Sequence, residues 1–185
     1  MKLTAKVKLQ TTPEQHQPLI ETIEKANDAC NQISQIAWDN KTFNQFKLHG
    51  LTYYPIREFS ELSAQIVVRC ISKVANSYKI FRNIQRTFNL HGSIAYDDRI
   101  LSWHIDQRDV SIWTIWGRLH IPFVCGQHHL NLLQHQHGET DLVLVDNQFY
   151  LFTTCEKEVP ETKDVEEFLG VDLHKSSCCG ILGIL

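Results

Sequence analysis

Long hydrophobic runs are missing from this sequence. No apolar stretch approaches the ~20 residues that a membrane-spanning helix needs, and the terminal GILGIL is far too short. The opening residues, MKLTAKVKLQ, also lack the apolar segment of a secretory signal peptide. We therefore expect a soluble protein that makes no contact with a membrane.

Paired cysteine motifs are missing too. The six cysteines show no CxxC spacing, which argues against a disulfide framework or a paired structural-zinc motif and favours a reduced, cytoplasmic protein. The chain has 185 residues and is 43% hydrophobic, so it can bury the core of one compact domain or of two small ones.

Acidic residues are absent between Leu62 and Tyr96. Residues 1–100 hold thirteen Lys/Arg against nine Asp/Glu, a balance of +4, whereas residues 101–185 hold five against twelve, a balance of −7. The acid-free stretch contains five basic residues: Arg69, Lys73, Lys79, Arg82 and Arg86. This pattern predicts a local cationic surface.

The first forty residues predict a strand and a helix. In KLTAKVKLQ, apolar residues alternate with Lys2, Lys6 and Lys8, which indicates a half-buried strand with a basic face. In TTPEQ, Thr12 can cap a helix that has Pro13 at its first position, and Gln15 completes a capping box. Apolar residues then recur at helical spacing and are expected to face the core.

The next segment predicts a loop and a second long helix. Gly50 and Pro55 interrupt FNQFKLHGLTYYPIREF, so we place a helix–loop junction there. Across residues 61–88 the apolar side chains cluster on one side of a helix, and the five basic residues flank the other half. That half is either an ordinary solvated helix face or a surface that faces phosphates.

From about Ser93 the hydrophobic period changes to two. The segments GSIAYDD, ILSWHID, DVSIWTIWGRLHIPF, HHLNLLQHQHG and TDLVLVDNQFYLFTTCE are typical of short strands joined by turns. They predict a small antiparallel β-barrel of OB-like type, whose sheet the first strand at residues 2–9 can complete. The fold class is then α+β, and the helices are an insertion in the barrel.

Aromatic and histidine residues in these strands have two interpretations each. The aromatic residues are core residues or, less often, platforms on which bases stack: Trp103, Trp113, Trp116 and Tyr150. The segment CGQHHLNLLQHQHGETD offers metal-ligand types at Cys125, His128, His129, His135 and His137, but hairpin polarity explains them equally well. Since no structural-zinc spacing is present, we expect no zinc site within the chain.

The segment FLGVDL, near the end of the chain, is typical of a strand. Leu169, Val171 and Leu173 fall on one face, and Asp172 falls on the other. Asp172 is therefore either a catalytic carboxylate mounted on a strand or an ordinary strand-end or turn residue.

Taken in order, these segments resemble the TnpB (OrfB) family of transposon-encoded RNA-guided DNA endonucleases. The resemblance covers nearly all of residues 1–173 and depends on the basic strand, TTPEQ, LSAQIVVRCISKVANSYKIF, VSIWTIWGRLHIPF, LVLVDNQFYLFTTCE and FLGVDL. It implies a wedge-type barrel at residues 1–10 and 91–160 and a helical recognition insertion at residues 11–90. Residues 161–185 would hold a linker and the truncated start of a RuvC-like nuclease domain, including the first strand of an RNase H-like fold.

The resemblance also implies partners and a site. Guide RNA and target DNA would be bound by Lys2, Lys6, Lys8, Arg69, Lys73, Lys79, Arg82 and Arg86. Asp172 matches the first catalytic Asp of the family, which helps to hold Mg²⁺ for phosphodiester hydrolysis. His174 stands where the family pattern typically has Gly, and the remaining carboxylates and the Cys-rich zinc-binding stretch of the family would lie beyond residue 185.

We therefore expect a transposase-related chain that binds guide RNA and DNA without cutting DNA on its own. Two alternatives remain open at this point. The chain can be a decayed transposon remnant with no activity, or a nuclease portion that a separately encoded downstream chain completes.

Overall fold

The computed structural model describes residues 1–80 and 82–158, which form helices and an antiparallel sheet. The helices in this part of the chain are α1 (Pro13–Asp39), α2 (Gln45–Ser60), α3 (Ala64–Ser77) and α4 (Gln127–Leu133). The strands are β1 (Lys2–Leu9), β2 (Ile94–Tyr96), β3 (Leu101–His104), β4 (Asp109–Thr114), β5 (Gly117–Val124), β6 (Gln136–Val145) and β7 (Gln148–Glu156).

The seven strands form one sheet that curls into a nearly closed barrel. Their order is β2-β6-β7-β1-β5-β4-β3, so the two edge strands, β2 and β3, are consecutive in the chain. The hydroxyl of Tyr96 in β2 donates to the carbonyl of Trp113 in β4 over 3.1 Å, which links one edge strand to the neighbour of the other. The α+β class and the small antiparallel barrel are confirmed, whereas OB-like character stays a prediction.

Strand β1 completes the sheet, as its sequence predicts. It pairs with β7 along Lys2–Lys8 and with β5 only at Lys8 and Leu9. Ala5, Val7 and Leu9 are buried inside the barrel, and the alternating lysines point outwards. Because side chains of a strand alternate between its two faces, burial of the apolar set exposes the basic set.

The capping box at the start of α1 is confirmed. The Thr12 hydroxyl accepts from the Gln15 amide, and the Gln15 side chain accepts from the Thr12 amide. Gln15 also donates to the carbonyl of His120 over 2.9 Å, and the buried Thr22 hydroxyl accepts from the amide of Ile115 over 3.1 Å. These contacts fasten α1 to the barrel.

The predicted helix–loop junction in residues 43–59 is wrong. Helix α2 continues through Gly50 and Pro55, because the Asn44 side chain caps its first turn and Leu48, Thr52 and Ile56 are buried at a spacing of four residues. A proline inside a helix removes one backbone hydrogen bond, and here burial of that apolar side is enough to offset the loss.

The predicted second helix is too long. Helix α3 ends at Ser77, and residues 82–93, which we call the strap, run along α1 without helical structure. Polar side chains of α1 hold the strap backbone: Asn31 exchanges two hydrogen bonds with Phe88, and Asn27 donates to the carbonyls of Leu90 and Gly92. These bonds satisfy backbone groups that a longer helix would have satisfied internally.

The strand predicted from HHLNLLQHQHG is also wrong in its first half. Residues Gln127–Leu133 form α4, and β6 begins only at Gln136. Helix α4 packs along β1 where β5 does not cover it, and Leu132 and Leu133 are buried there. The helix thus covers a stretch of strand edge that would otherwise be open, which is one way in which proteins protect the edges of sheets.

Candidate nucleic-acid interface and histidine cluster

The eight basic residues predicted to bind nucleic acid lie in three different places. Lys2, Lys6 and Lys8 are on the outer face of β1, Arg69 and Lys73 are on α3 next to the barrel, and Lys79, Arg82 and Arg86 follow the end of α3. The structure therefore does not bring them together along one helix.

The outer surface that we call the β1–β7 face combines basic and aromatic side chains: Lys6, Lys8, Tyr150 and Phe152. Lys6 is paired with Phe152 across the two strands, and Lys8 is paired with Tyr150. The Nζ of Lys6 lies 4.4 Å from the Tyr150 ring centroid and 5.5 Å from that of Phe152. An ammonium group at these distances is attracted to the face of an aromatic ring.

Both lysines of this face are open to solvent. Lys6 and Lys8 are exposed, while Tyr150 and Phe152 are half-buried. The ammonium group of Lys8 makes no hydrogen bond or ion pair with any residue of 1–80 or 82–158. An exposed ammonium group beside a ring can contact a phosphate while the ring contacts a base.

The two ends of this surface are less positive. Lys2 forms an exposed ion pair with Glu156 over 3.4 Å. On the β6 side, Asp141 lies opposite Phe152. Desolvation and the neighbouring Glu139 raise the pKa of Asp141, and Lys73 and Arg69 partly oppose this shift. These carboxylates border the cationic centre formed by Lys6 and Lys8.

Arg69 and Lys73 are engaged between α3 and the barrel. Arg69 forms an ion pair with Glu139 of β6, and its side chain is only 16% exposed. The Nζ of Lys73 donates to Asn27 Oδ1 and to the Ser93 carbonyl, each over 2.7 Å, and lies 5.1 Å from the Phe88 ring. These cations connect α1, α3, the strap and the sheet, so their surroundings are those of structural residues.

The second helix was predicted to carry Lys79, Arg82 and Arg86, but all three follow the end of α3. Lys79 and Arg82 are exposed, and Arg86 is half-buried. The backbone of Arg86 is anchored, because its amide donates to the Tyr78 hydroxyl over 3.0 Å and its carbonyl accepts from Ser34 over 2.6 Å. The helical spacing predicted for these three residues is wrong, and their contact with nucleic acid stays a prediction.

The four aromatic residues have different environments. Trp103 is half-buried and meets Phe123 edge-on at 5.4 Å, and Trp113 lies under the Arg118 guanidinium at 5.5 Å. Trp116 is 70% exposed and donates to the Glu21 carboxylate over 2.9 Å. Tyr150 alone among the four lies next to one of the predicted nucleic-acid-binding residues, Lys6.

A histidine cluster that the sequence reasoning missed lies on strands β3, β4 and β5. The Nδ1 atoms of His104 and His120 lie 3.0 and 3.2 Å from Asp109 Oδ1. The two imidazole rings are nearly parallel, with centroids 5.7 Å apart. Partial burial by itself raises the pKa of Asp109, but the hydrogen bonds with His104 and His120 outweigh it and lower that pKa.

The ligand types expected around residue 130 are not gathered in the same way. Within the described ranges, Cys125, His128, His129, His135 and His137 form no group able to share one ion. The Nδ1 of His129 instead accepts from the Lys6 amide over 3.3 Å, and His129 meets His128 edge-on. Asp172, with the rest of the predicted nuclease strand, lies outside the described residues.

No protein-family model matches this chain, and no curated protein matches it at a significant level. In the described ranges, none of the helices combines the length and the apolar character needed to span a membrane.

Proposed function

We propose that this chain binds single-stranded nucleic acid on the β1–β7 face, with guide RNA as its ligand. The observation that supports this function best is the placement of Lys6 over Tyr150 and Phe152, beside Lys8, whose ammonium group has no partner in the described part of the chain. In the TnpB-like arrangement the barrel is the OB-like wedge and residues 11–90 are the recognition insertion.

The chemistry of this face favours an unpaired strand over a duplex. Bases can stack on an aromatic ring only where they are not stacked within a helix, and such stacking contributes about 1–3 kcal/mol per base. Lys6 and Lys8 are two positions apart on one strand, about 7 Å, so both can contact the backbone of the same extended strand of nucleic acid. The face can therefore contact the backbone and a base together.

The proposed function does not include cleavage by this chain alone. Mg²⁺-dependent phosphodiester hydrolysis requires several carboxylates around the ions. The resemblance assigns Asp172 to that role, and Asp172 lies outside the described residues.

The test is fluorescence anisotropy with a labelled single-stranded RNA of about 20 nucleotides, the length of a guide–target pairing region. Binding by the full chain should weaken steeply between about 50 and 200 mM salt. The double variant Lys6→Ala/Lys8→Ala should bind about tenfold more weakly, and Tyr150→Leu should weaken binding without changing the salt dependence.

A matched control separates this face from a general effect of charge. The double variant Lys41→Ala/Lys47→Ala removes the same charge at exposed positions outside the barrel and should bind like the parent chain. Equal losses in both double variants, or binding that salt does not affect, would contradict the proposal.

Two further measurements address the identity of the ligand and the alternatives. Sequencing of RNA that co-purifies with the chain should show one enriched species if it is a guide; a random population would favour the decayed remnant. Mg²⁺-dependent DNA cleavage that appears only on addition of a downstream nuclease chain, and is lost in Asp172→Ala, would instead indicate a two-chain nuclease.

A further inference from the structure

We propose that His104, Asp109 and His120 form a binding site for a divalent transition-metal ion such as Zn²⁺. The ligands are the Nδ1 atoms of the two imidazoles and the carboxylate of Asp109. This site is independent of the proposed nucleic-acid function and of the Mg²⁺ chemistry assigned to Asp172.

The distances between the three groups are close to those of a metal site. One ligand atom from each residue lies within 4.8 Å of the other two. Zinc bonds of about 2.0–2.2 Å in tetrahedral geometry place ligand atoms about 3.3 Å apart. The two distances from Nδ1 to Asp109 Oδ1, 3.0 and 3.2 Å, already match that value. The ligand atoms of the two imidazoles lie at most 4.8 Å apart.

The backbone holds the three residues on one face of three neighbouring strands. His104 is paired directly with Asp109 across β3 and β4, and His120 is paired with Ser111, two residues along β4 from Asp109. Because residues two apart lie on the same face, the three side chains converge. The Phe123 amide donates to the Arg108 carbonyl over 2.9 Å, which holds together the open end of the hairpin formed by β4 and β5.

Solvent access leaves room for further ligands on the ion. The side chains of His104, Asp109 and His120 are 37%, 22% and 62% exposed. A surface pocket beside His104 is lined by Trp103, Gln107 and Gln134. Three protein ligands with an open position are typical of sites that also hold water or a small anion.

The ligand types select the class of metal. Imidazole nitrogens suit Zn²⁺, Ni²⁺, Co²⁺ and Cu²⁺, whereas Mg²⁺ and Ca²⁺ prefer all-oxygen sites. An Nδ1 atom that binds a metal must lose its proton, so the ion would replace the hydrogen bonds that both imidazoles now make with Asp109. The hydrogen-bonded cluster is then the metal-free form of the site.

The experiment is calorimetric titration of the full chain with ZnCl₂, compared among four proteins. The parent chain and His137→Ala, which removes an exposed histidine outside the cluster, should bind one equivalent at this site with equal affinity. His120→Ala and Asp109→Asn should lose that equivalent or bind it at least tenfold more weakly. MgCl₂ should give no comparable binding.

Thermal unfolding provides a second reading that does not depend on stoichiometry. Zn²⁺ at a hundredfold excess over its Kd should raise the Tm of the parent chain and of His137→Ala, but not that of His120→Ala. His120 is the most exposed of the three ligands, so its alanine variant should fold normally. Equal Zn²⁺ affinity in His120→Ala, Asp109→Asn and the parent, or no Zn²⁺ binding by the parent, would overturn the proposal.

Discussion

Two groups of basic residues in this chain were predicted to serve one purpose, yet they lie in opposite surroundings. At the seam between α3, the strap and the barrel, Lys73 donates to the buried Asn27 side chain and to the Ser93 carbonyl, and Arg69 is paired with Glu139. On the β1–β7 face, the ammonium group of Lys6 lies over two aromatic rings. The ammonium group of Lys8 has no hydrogen-bond or ion-pair partner in the described ranges. A cation with satisfied hydrogen bonds stabilises the fold, whereas an exposed cation is available to a ligand.

The difference follows from the backbone that carries each group. In a strand whose other face fills a barrel, every second residue must face water, so Lys6 and Lys8 are exposed by necessity. In a helix pressed against both a second helix and a sheet, a long basic side chain can reach hydrogen-bond acceptors of its neighbours instead, as Lys73 does, and its ammonium group lies 5.1 Å from the Phe88 ring centroid. Charge density along the sequence does not distinguish the two cases.

The largest effect is expected at the centre of the seam, in Asn27→Ala. Asn27 is fully buried, donates to the carbonyls of Ile23, Leu90 and Gly92 and accepts from Lys73. Its loss removes one of the two acceptors of the Lys73 ammonium group and the side-chain donor of two strap carbonyls, so the free energy of unfolding should fall by about 3 kcal/mol.

Chemical denaturation measures that change, with Gln32→Ala as the control. Gln32 is an exposed residue of the same helix whose side chain donates to the Asp28 carboxylate, and its variant should stay within about 0.5 kcal/mol of the parent. If Asn27→Ala is no less stable than Gln32→Ala, the seam does not hold the strap.

The seam also shows why parts of the fold could not be predicted from the sequence. The basic strand and the Thr12 capping box depend on residues within four positions of each other, and both are confirmed. The end of α3 depends on hydrogen bonds from α1 to the strap, for example from Asn31 to Phe88, 57 residues away. Helical periodicity continued through Phe88, but tertiary contacts determined where the helix ends.

The candidate sites follow the same rule. The lysines of β1 could be identified by alternation, but their aromatic neighbours required the pairing of β1 with β7. The cluster of His104, Asp109 and His120 required the register of three strands, which no local pattern specifies. The histidines that stood close together in the sequence, at 128–137, are the ones that form no such cluster in the described part of the chain.

The second largest effect is expected for Lys73→Met, which keeps the stem and removes the ammonium group. Asn27 Oδ1 and the Ser93 carbonyl then lose a charged donor, and the chain should be destabilised by about 1.5 kcal/mol. RNA affinity of the folded variant should be unchanged in an anisotropy titration. Lys47→Met, at an exposed position, is the stability control. A weaker RNA affinity with unchanged stability would show that Lys73 contributes to RNA binding and not to stability, and the two groups of basic residues would then not differ.

The opposite result is expected for Lys6→Ala/Lys8→Ala. Unfolding free energy should change by less than about 1 kcal/mol, because both side chains are exposed, while RNA binding should weaken about tenfold, or about 1.4 kcal/mol. The log–log dependence of affinity on salt should also become shallower by about 1.4, since each contact with a single-stranded phosphate contributes about 0.7. Unchanged salt dependence would show that these lysines do not contact phosphates.

The smallest effect on RNA affinity is expected for a change to an acidic residue at the end of the β1–β7 face. Glu156 pairs with Lys2 at the end of the β1–β7 face, and both side chains are well exposed. Glu156→Gln removes one negative charge and frees Lys2 for a phosphate, so RNA affinity should rise two- to threefold at low salt, and the gain should shrink as salt screens the charges. Stability should fall by less than about 0.5 kcal/mol, since an exposed ion pair contributes little.

The matched control is Glu58→Gln, an equal charge change on α2 away from the barrel, which should leave RNA affinity unchanged. Equal gains in both variants would mean that RNA responds to the net charge of the chain rather than to this face, and the distinction between the seam and the β1–β7 face would then concern stability alone.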